Sequence, residues 1–168
     1  FTGPNDEPRE MPIYTIPSAV DLAAHIRKAV VEDGFDAALT QHFSVDHSVA
    51  VPLHFLTPDM SIPVIPFFIS GHLPPLPPAR RCYALGQAVA RAIAAWPAAL
   101  RVVIIGSGSF SLEVAGPRMA PGRTDGVPDP DWALRVIKYL EQQQIEKLIS
   151  EATPHQLLKA GNVGGGDG

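Results

Sequence analysis

Six histidines, His25, His42, His47, His54, His72 and His155, and a single cysteine, Cys82, are the residues of this chain best suited to proton transfer, metal ligation or nucleophilic attack. None of them forms the His-Glu-x-x-His or paired-cysteine spacing of a complete metal site. Lone histidines are mostly structural or solvated, and that is the expectation for His25, His42 and His155. His47 differs. It lies in Val45-Asp46-His47-Ser48, at the end of a predicted strand region and just ahead of an apolar segment, with a carboxylate beside it in sequence. An imidazole so placed can exchange protons near neutral pH, which makes His47 the candidate acid/base. Cys82 falls inside a predicted helix among apolar neighbours and reads as a buried, inert thiol. Gly106-Ser107-Gly108-Ser109-Phe110-Ser111 starts like a dinucleotide-binding fingerprint, but Ser111 stands where the third glycine belongs. It reads as a tight turn after a buried strand. Gly-x-Ser-x-Gly does not occur, so a hydrolase nucleophile elbow is not supported.

The elements that must position these residues read as an α/β chain. The opening residues, with Pro4, Pro8, Pro12 and Pro17, form an extended arm in which 13–16 is a short strand. Ser18 and Asp21 have capping-box spacing ahead of Val20, Ala23, Ala24, Ile26, Ala29 and Val30, which repeat at helical intervals until Gly34 stops them. Residues 35–39 and 62–69 read as strands, the second at an edge or a bulge because proline cannot donate to a ladder. Pro77 and Pro78 open a long helix closed by Trp96 and Pro97. Residues 101–105 read as a strand buried on both faces, and the loop after such a strand is where α/β folds place ligands. Residues 114–130 look irregular. Asp131 then caps a helix through Tyr139 and Leu140, and two shorter helices follow at 144–149 and 154–159. The fold class expected is therefore α/β: a single domain over residues 1–160, a mixed sheet flanked by helices, loop-rich and Pro-rich, followed by a flexible tail at 161–168.

Composition narrows the function classes. At 168 residues the chain has the length of one ordinary domain, and its 46% hydrophobic and 18% charged residues suit a globular core rather than a disordered chain. Thirteen Lys and Arg against 17 Asp and Glu give a net charge of -4, with no basic stripe to neutralise a row of phosphates. Nucleic acid is thus a poor partner. The longest apolar run, 62–70, is broken by Pro63 and Pro66 and is far short of the about 20 residues a membrane-spanning helix needs. The lone Cys82 cannot make an internal disulfide, and the expected location is the reducing cytoplasm.

Several segments carry a resemblance in register. Asp46-His47-Ser48-Val49-Ala50-Val51-Pro52-Leu53, Ile62-Pro63-Val64-Ile65-Pro66, Arg81-Cys82-Tyr83-Ala84-Leu85-Gly86 and Gly106-Ser107-Gly108 resemble, in order and spacing, the class III extradiol ring-cleavage dioxygenases. The resemblance implies a non-haem Fe(II) held by two His and one Glu, with open positions for a small aromatic diol and O2. His47 falls on the family's acid/base, with Ser48 in place of the usual glycine. It would take a phenolic proton and return one as the ring opens beside the diol. Ser107, Ser109 and Phe110 become candidate substrate contacts. Asp131 falls near the family's glutamate ligand and is shorter by one methylene, and Leu112 stands where the family's loop has a histidine. The two histidine ligands match no residue here and are expected upstream of Phe1; the family also continues beyond the point where this chain stops, so the domain is expected to be incomplete at both ends. A homo-dimer, or a complex with a small second subunit, is the implied assembly. The alternative is a non-catalytic relative serving as a scaffold or aromatic-ligand-binding subunit without iron, and a generic α/β ligand-binding module is what remains if the likeness is accidental.

Overall fold

Residues 1–6, 11–71, 75–114 and 116–161 are described by the computed structural model of the chain. Among them, six helices are interspersed with two small antiparallel sheets, a mixed α/β fold. The expected tail lies, apart from Gly161, outside the described residues. Two compact units are present, residues 1–68 with 85–108, and 69–84 with the chain from 109 on.

In the first unit, β1 (Thr2–Gly3) pairs antiparallel with β2 (Tyr14–Thr15), so the expected strand at 13–16 is present in its central pair. The helix α1 (Val20–Glu32) buries Leu22, Ile26 and Val30, spaced by four. These pack on Ala88 and Ala92, whose small side chains lie on the later turns of α3 (Ala79–Ala94). His25, on the same helix as that apolar stripe, donates from Nε2 to the Ala92 carbonyl at 2.9 Å and meets the Trp96 ring edge-on at 5.2 Å. This is the structural role expected of it. Gly34 ends α1 at φ +87°, its N–H reaching the Val31 carbonyl and that of Phe35 the Val30 carbonyl. The paired bonds make a Schellman motif, with Phe35 folded back on the Val30 cluster.

A second cluster of Ile16, Val45, Leu53 and Met60 fastens α2 (His47–Leu56) to the arm. This helix is the apolar segment that begins at His47, and the strand region expected ahead of it is reduced to a single bridge at Ser44. Val45, Val49, Val51 and Pro52 bias the local sequence against helix, but Asp46 caps it, and Pro52 inside the helix forgoes one internal bond. Ser18 makes no cap for α1; its backbone forms a parallel bridge to Val64, the one strand-like feature of 62–69. Residues 35–39 are irregular. Residues 101–105 are also outside any strand and exposed, Val103 at 81% and Ile104 at 75%, because no described segment offers them a ladder.

In the second unit, β3 (Glu113–Val114) and β4 (Asp125–Gly126) pair antiparallel and bracket the otherwise irregular 114–130. The helix α4 (Pro130–Glu141) buries Trp132 and Val136 against Leu148 of α5 (Ile145–Glu151) and Ala160 of α6 (Pro154–Ala160). Thr153 caps α6, accepting from the Gln156 N–H at 3.2 Å. The cap of α4 is Asp129 rather than Asp131, since Pro130 takes the first helical position and the capping residue must precede it. Cys82 is half-buried, its Sγ 3.9 Å from the Pro77 carbonyl oxygen, and burial pushes its thiol up from the ordinary value, as suits an inert group.

Candidate functional site

The arm builds the surroundings of His47 from the backbone outward. Thr2 bridges in parallel to Ser44, the Val45 N–H donates to the Thr2 carbonyl at 2.9 Å, and the Asn5 N–H donates to the Val45 carbonyl at 2.8 Å. Two strands of chain in that register set Asp6 over the first residue of α2. Gly3 is needed here: a Cβ at that position would stand 2.7 Å from the Val45 carbonyl oxygen.

Asp6 accepts the His47 backbone N–H through Oδ1 at 3.0 Å and bonds His47 Nδ1 through Oδ2. Partial burial pushes the Asp6 carboxyl up, but hydrogen bonds from the His47 ring and the backbone, together with the charge of the imidazole, outweigh it and hold the group below its ordinary value. The neighbouring Asp46 is occupied elsewhere. It accepts from the Ser48 N–H at 3.0 Å and from the Ser48 hydroxyl at 2.5 Å, as a helix cap does. The His47 side chain is 61% exposed, so the ring edge away from Asp6 is open to a reactant. Seven residues on, His54 lies on the same face of α2 and shares a 2.5 Å hydrogen bond, through Nδ1, with the Tyr14 hydroxyl.

The other candidates are placed as follows. Ser107 is exposed in the first unit. Ser109 and Phe110 are exposed in the second, where the Ser109 hydroxyl donates to the Ser111 carbonyl at 3.1 Å. Asp131 is exposed in the first turn of α4. Among the described residues, no three His, Cys, Asp or Glu side chains come together in a way that could hold a metal ion. The described residues therefore do not by themselves fit an iron site.

A polar cluster that the sequence did not announce ties the second unit together. Ser111, Glu113 and Asp129 are buried. The Ser111 hydroxyl donates to the Ala160 carbonyl at 2.7 Å and accepts from the Asp129 N–H at 2.9 Å. Arg118 pairs with Glu113 and donates to the Lys159 carbonyl at 2.7 Å, placing a cation at the C-terminal end of α6. Hydrogen bonds from the Gln156 side chain and the Trp132 N–H, with Lys159 close by, draw the Asp129 carboxyl down to about 2. Only Asp129 carried a signal, the proline that follows it.

Residues 8–165 match the family described as the catalytic LigB subunit of aromatic ring-opening dioxygenase. The chain belongs to this family. Among ring-opening dioxygenase relatives, it is 34% identical over 136 residues to the gallate dioxygenase of Pseudomonas putida, covering 79% of this chain and 38% of that protein. It is 43% identical over 101 residues to a 2,3-dihydroxyphenylpropionate/2,3-dihydroxicinnamic acid 1,2-dioxygenase of a Mycobacterium species, covering 60% of this chain and 32% of the relative. With the enzyme of the same name from Paraburkholderia xenovorans the identity is 39% over 110 residues, 65% and 34% of the two chains. The chain thus spans about a third of the length of the curated relatives it matches. Among the described residues, no helix is long and apolar enough to cross a membrane.

Proposed function

We propose that the protein carrying this chain opens a catechol-type aromatic ring next to its diol with O2, and that His47 is the acid/base of the reaction. The observation that carries the reading is an exposed imidazole, tied at Nδ1 to Asp6 on the first turn of a capped helix, in a chain of the ring-opening family. A phenol is too weak an acid to lose its proton freely at neutral pH, and an imidazole whose second nitrogen is open can accept it, becoming an imidazolium beside the phenolate. The exposed loop residues Ser107, Ser109 and Phe110 are proposed to contact the aromatic substrate.

The reading includes a non-haem Fe(II), which when bound supplies O2 chemistry. The described residues do not form its ligand set; Asp131 is proposed as at most one contributor, with the others outside them. The test uses the intact protein, purified without oxygen. Iron bound to it and a yellow ring-opened product from a catechol acid are the expected outcome, whereas intact protein that opens no such ring overturns the proposal.

A further inference from the structure

Asp6 stands 41 positions from His47 in sequence, yet it meets that residue twice, at the backbone N–H and at ring Nδ1. A carboxylate has no proton to give, so the imidazole nitrogen facing it must be the one that carries hydrogen. We propose that Asp6 is a positioning residue for His47, fixing the ring proton on Nδ1 so that Nε2 presents its lone pair to the substrate. This rests on the reading of His47 as acid/base.

Three observations carry it. The carboxylate is set by main-chain bonds on both sides of Val45 rather than by a floppy side chain alone, so its position is built into the fold of the arm. Its second oxygen is anchored on the His47 N–H, which fixes the carboxylate's orientation as well as its distance. The nearer carboxylate in sequence, Asp46, is consumed by Ser48 and cannot do this work. In the reaction the proton leaves the phenol oxygen for Nε2, the ring becomes an imidazolium, and Asp6 then faces that new charge at Nδ1. The same nitrogen gives the proton back later in the cycle, so no proton is gained or lost overall. A free histidine prefers its proton on Nε2, the nitrogen that has to be vacant, so removing Asp6 acts against the base directly.

The experiment is nitrogen NMR of the intact protein with labelled histidine, at about pH 8.5 where histidines are mostly neutral, alongside steady-state kinetics on a catechol acid. In the wild type, His47 should show a protonated Nδ1 and an unprotonated Nε2. Asp6→Ala should move the proton toward Nε2 and lower kcat by about 10²- to 10⁴-fold, up to the loss seen when the carboxylate that sets a catalytic histidine's tautomer is replaced, with KM little changed. Asp6→Asn keeps the size of the side chain and guards against a disturbed arm; its amide can donate to Nδ1 and is expected to act in the same direction. An unchanged tautomer and kcat in both variants, with His47→Ala inactive, overturns the proposal alone. Turnover that survives in His47→Ala overturns the base reading and this proposal with it.

Discussion

His47 and His54 sit seven residues apart on α2, about 10 Å along the helix axis, and each takes its ring partner from the same Pro-rich arm, Asp6 for one and Tyr14 for the other. The arm is therefore bound to one face of α2 by two polar contacts, with the Ile16 and Val45 cluster beneath. An exposed ion pair such as Asp6–His47 contributes little to stability, about 0 to 1 kcal/mol. Gly3 is the residue that lets the arm lie close enough. Gly3→Ala should destabilise the protein by about 1–3 kcal/mol, the usual cost of overpacking, read as a lower urea midpoint; an unaltered midpoint would mean that the arm does not hold this course. The proposed role of His47 comes from the sequence, through a resemblance anchored on Asp46-His47-Ser48. Its partner was not legible there, because a contact between residues 6 and 47 leaves no periodic or spaced trace. The carboxylate beside it in sequence was instead the helix cap.

At the scale of elements, α4 and the segments around it show how much a cap can organise. Asp129 ends the loop, caps α4 through the Trp132 N–H at 3.0 Å, and accepts from Gln156 of α6 at 3.0 Å. Its carboxyl, ordinarily near 3.8, lies at about 2 in the folded chain. A folded value depressed below the unfolded one stabilises fully above about pH 4, and that contribution is lost as pH falls from about 4 toward 2. Asp129→Asn keeps a capping oxygen but does not titrate. The stability gap between wild type and variant should thus be widest at pH 5 and close toward pH 2 in urea melts; a gap independent of pH would remove the carboxylate from this role. Trp132, 2% exposed, fills the centre of the α4, α5 and α6 cluster. Trp132→Ala should cost about 3–5 kcal/mol, and a loss under 1 kcal/mol in the same melts would contradict the packing. The helices were readable from their periodicity and prolines, apart from α2, where β-branched residues and Pro52 masked a capped start. The strands fared differently. Residues 101–105 have the composition of a buried strand, but composition cannot supply the neighbouring strands that a ladder needs, and among the described residues there are none.

For the whole molecule, the chain belongs to the ring-opening dioxygenase family and carries a net charge of -4, with no basic stripe of the kind that binds nucleic acid. The family was legible because four separated segments agreed in order, which no single motif achieved. No metal-ligand set was legible in the sequence, and none comes together among the described residues. What this chain is proposed to add to the ring-opening reaction is the imidazole of His47, held by Asp6 of the arm. The most direct test is His47→Ala in the intact protein, with kcat for ring opening and the dissociation constant of the catechol acid measured on the same preparation. The account predicts that kcat falls by about 10²–10⁴-fold, the usual contribution of a positioned acid/base, while the dissociation constant stays within about threefold, because such a group acts mainly on the transition state. A variant that opens the ring at the wild-type rate would contradict it.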